Sequence, residues 1–452
     1  MLLVAEDSPL VCEYACILRE RGMQVQRHDP QAKIPVSPSQ VVAHVLDSIP
    51  NARDTAALGV QIAEHARSGC PPLLFIPSAP QSPTKADESA ASIALWQAQG
   101  AVVSCDPALW IECIVLLAGY GPPAGPRVAI VAPPDGWLAA AAAAQERQAE
   151  HLGERFTASA SPPSSATDVV LADCEELAKS SDSKFSVVPV SGRGQMCRDR
   201  PALLGVVNAI NAVEKCGQAT LRIAAGSGAA TGPISATVDH QRFKAQLDKL
   251  ANRVGDHECK VLLSSYGVSI TRQAVATTPS AATRIAKRAG YPVELKAWGP
   301  DQPSETEGCL VLRDIETAAE VRRAFSTICT RANCDAVIVR ESPMAGREVR
   351  ISVRQQGALG LLAFLYQSGH PEPAAAMAPL RQVDADSMAR LVVASRSTDP
   401  DTDWPALASL LLRVSHAVAD NPRVRSIDLS RVAVGATGEG VVVIDARATL
   451  QG

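Results

Sequence analysis

The sequence predicts a multidomain α/β protein in which short buried strands alternate with helices. Its 452 residues exceed one ordinary domain and suggest three or four. Hydrophobic residues make up 46% of the chain and aromatics only 4%, so its cores are built from Ala, Val, Leu and Ile, as in proteins with parallel strands buried under helices. Apolar runs bounded by Pro, Gly and polar residues recur between helix-like stretches, the pattern of a mostly parallel sheet.

Taken in order, Met1-Leu-Leu-Val-Ala reads as a strand, Leu10 to Arg21 as a helix and Met23-Gln-Val-Gln as a strand. Ser37-Pro38 carries a helix-start signal, which predicts a helix through Val41 to Leu46. Thr55 to Ala66 is helical, Pro72 to Pro77 a strand, Ser78 to Asp87 a loop, Ser89 to Gln99 a helix and Ala101 to Ser104 a strand. Gly121-Pro-Pro-Ala-Gly-Pro126 is the clearest linker. A second unit follows, with strands at Arg127 to Ala132, Val169 to Ala172 and Phe185 to Val190. Trp137 to His151 and Leu203 to Glu214 read as helices, and Ala219 to Ala224 as a further strand. Gly226 to Gly232 is a joint, and the last domain starts near His240. The expected boundaries are therefore 1–125, 126–232 and 240–452.

The charge and cysteine patterns exclude several classes. A net charge of −4 points to neither nucleic acid nor an anionic membrane as partner. The 12 cysteines include no Cys-x-x-Cys pair and no zinc-like ligand set, which predicts free thiols in a reducing, cytoplasmic compartment. The first residues lack the basic region of a signal peptide, and no apolar run reaches the length of a membrane span. There is no Walker A lysine motif, Gly-x-Ser-x-Gly or His-Glu-x-x-His. Ser191-Gly-Arg-Gly194 is a short Gly turn and weak evidence of a phosphate site.

From about Cys259 to Leu450 the order and spacing of motifs resemble one family. Lys260 to Gly267 is similar to its opening helix ending in Tyr-Gly, and Gly290-Tyr-Pro-Val-Glu-Leu-Lys296 to its phosphate-lysine strand. Ala336-Val-Ile-Val-Arg-Glu341, then Pro343-Met-Ala-Gly-Arg-Glu348, is similar to its hinge strand and following Gly-x-Glu. Ser426-Ile-Asp-Leu-Ser430 and Val443-Ile-Asp-Ala-Arg447 are similar to its two late acidic strands. The family is the NDP-forming acyl-CoA synthetases, relatives of succinyl-CoA synthetase. The resemblance implies two flavodoxin-like CoA-ligase units followed by a C-terminal ATP-grasp domain. It implies ATP or ADP with Mg²⁺, and CoA and a carboxylate as substrates. Lys296 would hold phosphates, Glu341 and Glu348 the nucleotide, and Asp428 and Asp445 the metal. A solvated strand end is the plainer alternative for each. A complete CoA-binding domain has no room ahead of residue 36, so the resemblance also implies a partner subunit that carries one, and an oligomer.

The sequence departs from the family at several working positions. The metal asparagine is Ser430 and the proline after it Arg431. The His-Lys-Thr-Asp stretch reads Ser304-Glu305-Thr306-Glu307, which puts an acid where the family has a cation. The glycine-rich loop aligns with Phe364 to Gly369 and keeps one glycine. No histidine stands near Lys85-Ala-Asp-Glu88, where the family's phosphohistidine falls, and the phosphate turn reads Pro133-Pro-Asp135-Gly136. His240, His257 and His370 are the remaining candidates for a phosphate relay. Three functions stay open: a divergent ADP-forming acyl-CoA synthetase or a subunit of one, an inactive scaffold or regulatory partner, and an ATP-grasp ligase that passes acyl phosphate to another nucleophile.

Overall fold

The computed structural model describes residues 2–5, 9–28, 40–46, 48–76, 83–131, 136–141, 156–159, 168–173, 186–191, 196–197, 200–226, 238–250, 252–299, 302–367, 373–394 and 402–451. The chain forms two compact units, Met1–Ala230 and Thr231–Gly452.

The first unit holds two five-stranded parallel sheets. In one, β1 (Leu2–Ala5), β2 (Gln26–His28), β3 (Val42–Val45), β4 (Leu73–Phe75) and β5 (Val102–Ser104) take the spatial order 2-1-3-4-5. In the other, β6 (Val128–Val131), β7 (Phe156–Ser159), β8 (Val169–Asp173) and β9 (Ser186–Ser191) precede a hairpin of β10 (Met196–Cys197) and β11 (Arg200–Pro201), and β12 (Leu203–Leu204) completes the sheet. Its order, 7-6-8-9-12, repeats the first sheet's pattern strand for strand. This is one of the two common doubly wound orders.

Among the described residues, four helices lie before the linker: α1 (Pro9–Glu20), α2 (Ala52–Ala66), α3 (Pro83–Ala98) and α4 (Pro107–Tyr120). Asn51 and Asp106 cap α2 and α4 by accepting from backbone N–H groups of the first turn. Helix α4 is buried continuously from Leu109 to Leu117 and touches β4 and β5 of one sheet and β9 and β12 of the other. A helix apolar all round has to lie inside, and this one lies between the sheets. One core therefore runs from Tyr14 and Phe75 through Trp110 to Val188 and Val213. Helix α5 (Val206–Ala225) packs on α4.

Three local expectations are corrected here. Val42–Val45 is a fully buried strand, not a helix; a four-residue run is too short to distinguish the two by periodicity. Ala219 to Ala224 is the last part of α5, whose buried Val206, Ala209, Ile210, Val213, Cys216 and Ala219 keep one helical face. The expected loop at 78–87 is helical from Pro83. The expected Ser37-Pro38 start, the turn at Pro133 to Asp135, Gly192 to Gly194, His370 and most of the joint at 226–232 lie outside the described residues.

The second unit contains two antiparallel sheets. A six-stranded sheet runs in the order β13 (Arg253–Val254), β22 (Val441–Leu450), β21 (Val424–Val434), β18 (Arg347–Gln355), β19 (Leu361–Gln367), β20 (Ala374–Met377). Its helices are α6 (His240–Leu247), α7 (Asp256–Ser264), α10 (Gln382–Ala394) and α11 (Trp404–Ala419). A four-stranded sheet runs β14 (Gln273–Ala276), β17 (Ala336–Glu341), β15 (Val293–Trp298), β16 (Val311–Ile315). It is covered by α8 (Pro279–Ala289) and α9 (Ala318–Ala332). Thr278 and Pro279 start α8, and a capping box of Thr317 and Glu320 starts α9. Asn333 ends α9 in the left-handed conformation, which asparagine tolerates better than most residues. Phe364, expected in a loop, is a buried residue of β19.

Candidate functional site

Strand alternation builds the site. On β15, Val293, Leu295 and Ala297 face the core under α8 and α9, so Glu294 and Lys296 face the other way. On β17, Val337 and Val339 face that same core, and Arg340 stands opposite Glu294 in register. A charged face is thus presented to β22 of the six-stranded sheet. Arg340 Nη1 donates to the Ile444 carbonyl at 2.9 Å. Lys296 Nζ is ion-paired with Asp445 and lies 3.3 Å from Asp256 Oδ2. Lys260, one helical turn beyond Asp256 on α7, places Nζ 2.9 Å from Asp256 Oδ1.

These charges are buried: Asp445 and Lys260 are fully enclosed and Lys296 is 2% exposed. Burial alone would depress the Lys296 ammonium, but the Asp256 and Asp445 carboxylates outweigh it and hold its pKa above the ordinary value. Burial would likewise raise Asp445, yet Lys296 beside it and the hydrogen bonds it accepts keep it below the carboxylate range. Lys260 goes the other way: burial lowers it to about 8 because Asp256 only partly compensates.

A second layer of charge surrounds the first. Glu305, on the short 3₁₀ turn Glu305–Glu307, donates its backbone N–H to Asp445 Oδ2 at 2.9 Å. Its side chain meets Arg313, Arg340 and Arg431. Arg431 also donates to Glu348 Oε1 through Nε at 2.8 Å and Nη2 at 2.6 Å.

The five predicted residues are therefore only partly assembled. Lys296 and Asp445 meet directly, and Glu348 joins them through Arg431 and Glu305. Lys296, expected to hold phosphates, is mid-strand and enclosed in ion pairs. Glu341 stands apart, accepting from the Arg272 backbone N–H at 2.9 Å. Asp428 accepts from Ser352 Oγ at 2.5 Å and is in register with Arg447. Its carboxylate nonetheless acts, with burial, Asp256 and Asp445, to push the Cys259 thiol well above its ordinary pKa. Asp256, Lys260, Glu294 and Arg340 were missed. Their signal was legible as charges inside apolar strands (Val293-Glu-Leu, Val339-Arg-Glu) and as an acid–base pair four apart on a helix.

The arrangement does not suit a divalent cation. Asp445 Oδ2 accepts from Ser430 Oγ as well as from Glu305 N–H, and Oδ1 faces the Lys296 ammonium. Among the described residues no group of three or more His, Cys, Asp or Glu side chains is placed to hold a metal. Mg²⁺ needs near-octahedral oxygen coordination, and here an ammonium stands where such an ion would meet Asp445. His240 stacks edge-on with Tyr266, and His257 Nδ1 lies 3.4 Å from Gln273 Nε2, so each has a structural neighbour. Lys85 to Glu88 lie on α3. Among the described residues no helix is long and apolar enough to cross a membrane.

Residues 246–450 match the ATP-grasp domain family. Over 215 residues the chain is 29% identical to the beta subunit of the ADP-forming acetate–CoA ligase II of Pyrococcus furiosus, covering 44% of this chain and 91% of that protein. Over 230 residues it is 26% identical to the ADP-forming acetate–CoA ligase I of Archaeoglobus fulgidus, covering 46% of this chain and 33% of that one. A solved protein of Pyrococcus horikoshii Ot3 is similar over 47% of this chain and 97% of its own, with 25% identity and a TM-score of 0.43. The chain thus spans nearly all of the beta subunit but about a third of the Archaeoglobus ligase. Residues 246–450 of this chain are thus similar to the ATP-grasp domain family and, over the same half, to the ADP-forming acetate–CoA ligases.

Proposed function

We propose that the chain is a divergent ADP-forming acyl-CoA ligase, or one subunit of such an enzyme. The single observation that carries this is the likeness of its ATP-grasp half to an ADP-forming ligase beta subunit over 91% of that subunit. The geometry is consistent with it. Lys296 and Asp445, from different sheets, converge at one point, as a site that must hold phosphates requires. In this reading residues 240–452 bind ATP or ADP, and 1–125 and 126–232 are two flavodoxin-like CoA-ligase units. The repeated doubly wound strand order supports the second assignment. Substrates would be a carboxylate and CoA, and a separate subunit would carry the CoA-binding domain.

In that role Lys296 would exchange Asp445 for a phosphate oxygen. The ammonium stays charged throughout, because both partners are anionic. Ser430 and the Glu305 backbone N–H would then hold the Asp445 carboxylate in place. Glu341 and Glu348 would serve the adenosine end. Asp445 would offer a metal no free position while Lys296, Ser430 and the Glu305 N–H engage both of its oxygens.

A second reading, a scaffold or regulatory partner without turnover, is favoured by one observation. Every buried charge in the cluster already has an internal counter-charge, Glu305 with Arg340 and Lys296 with Asp445 among them. Calorimetry of ATP and ADP with the full chain, with and without Mg²⁺ and beside Lys296→Ala, separates the two. Binding that is lost in the variant supports the ligase reading. No binding at millimolar nucleotide leaves the scaffold.

A further inference from the structure

Glu305 occupies a place built for an anion. Three guanidinium groups from three strands converge on its carboxylate: Arg313 Nη2 at 2.9 Å and Arg431 Nη1 at 3.4 Å from Oε2, and Arg340 Nη2 at 2.6 Å from Oε1. Arginine forks suit phosphate as well as carboxylate, and three of them around one point are more than a single carboxylate can satisfy. The fit between the arginines and Glu305 is imperfect. Glu305 Oε1 is buried and touches Arg340 Nη2, but off the N–H direction, so it accepts no directed hydrogen bond.

Each of the three arginines also faces a carboxylate other than Glu305. Arg340 donates from Nε to Glu294 Oε2 at 2.9 Å, and Arg431 donates to Glu348. Arg313 Nε lies 3.4 Å from Glu294 Oε1. With Glu305 in place, three cations face three acids. With Glu305 withdrawn, Glu294 and Glu348 remain beside the three cations, Asp256 stays paired with Lys260 and Lys296, and the site gains a net positive charge in a half-buried setting where charge acts strongly. Glu305 belongs to a three-residue turn between Ser304 and Gly308, not to a sheet, so its removal breaks no strand pairing.

We propose that Arg313, Arg340 and Arg431 form a binding site for a phosphate-bearing ligand, and that Glu305 is the internal carboxylate that fills it until such a ligand displaces it. The inference rests on the ATP-grasp half being a phosphate-binding domain, and it adds a displacement step to that reading. A tetrahedral phosphate offers three terminal oxygens to the three guanidiniums, where the planar carboxylate offers two. The intact chain accordingly binds oligophosphate weakly, and removing one charge at residue 305 strengthens binding.

The test uses the full chain and inorganic tripolyphosphate, followed by calorimetry in low salt. Glu305→Gln keeps the shape and removes the charge. The expected result is binding about tenfold tighter or more, a gain abolished in Glu305→Gln/Arg431→Met and reduced by added salt. If the Gln variant does not fold, Glu305→Asp, which draws the carboxylate back by one methylene, gives a smaller gain of the same sign. An unchanged or weaker affinity in the folded variants overturns the proposal, as does a gain that survives loss of Arg431. ATP titrated in parallel separates the two claims. Lys296-dependent ATP binding with no gain in Glu305→Gln leaves the ligase reading and removes this one. Tripolyphosphate binding to Glu305→Gln without ATP binding to any form does the reverse.

Discussion

Lys296 and Asp445 are ion-paired with each other across the two sheets of the ATP-grasp half, both almost wholly buried. The family resemblance makes the first a phosphate lysine and the second a metal ligand, but both oxygens of Asp445 are already engaged. In this state each neutralises its counterpart.

The pair makes Lys296→Met strongly destabilising. Asp256 keeps Lys260 as a partner, so the orphaned charge is that of Asp445. Breaking a buried pair from one side costs about 3–5 kcal/mol, and Asp445→Asn added to Lys296→Met recovers part of it. Urea denaturation of the singles and the double checks this. A loss in the double equal to the sum of the two single losses would show that the pair carries no coupling.

Gly217→Ala unsettles the first unit. A Cβ at Gly217 on α5 lies 2.3 Å from the carbonyl carbon and oxygen of Gly125 and 2.6 Å from Pro126 N, all backbone atoms that cannot swing aside. Overpacking of this kind costs about 1–3 kcal/mol, and the thermal midpoint falls accordingly. An unchanged midpoint would mean that the Gly121 to Pro126 segment is free to move off the helix.

Acid weakens the first unit through His44. The ring is 4% exposed and stacks on His65 at 5.8 Å, and burial drives its pKa down to about 3. The folded pKa lies below the unfolded one, so the unfolded state binds more protons between the two. The contribution of neutral His44 is therefore present above about pH 6.5 and is lost as pH falls towards 3, on the order of 2–4 kcal/mol in all. Urea midpoints from pH 4 to 7 should fall on the acid side in the native chain and fall less in His44→Leu. Parallel slopes in the two would assign the acid sensitivity elsewhere.

Asp403 ties a helix start to a hairpin. Its Oδ1 caps α11 by accepting from Ala406 N–H at 3.1 Å, and its Oδ2 accepts from Gly438 and Gly440 N–H, each at 3.0 Å. Asp403→Ala removes all three acceptor contacts and costs about 1–3 kcal/mol. Hydrogen exchange at Gly438 and Gly440 should accelerate in Asp403→Ala and much less in Asp403→Asn, which keeps one acceptor oxygen. Protection that persists in the alanine variant would place the hairpin's stability in its strand pairing alone.

The sequence by itself determined the strand–helix alternation and the order of the motifs that match the ATP-grasp family. Those features are local: strand runs, caps such as Thr278-Pro279 and short motifs survive in one dimension. It misread Val42 to Val45 and Ala219 to Ala224, where an apolar run takes its conformation from what packs against it. Only the tertiary structure decided what Lys296 faces. Whether a lysine meets solvent, a phosphate or Asp445 depends on which strand lies across the fold, and Lys296 and Asp445 are 149 residues apart. The same holds for Glu305. As a letter in the sequence it is an acid in place of a cation; in the fold it is the carboxylate on which three arginines from separate strands converge.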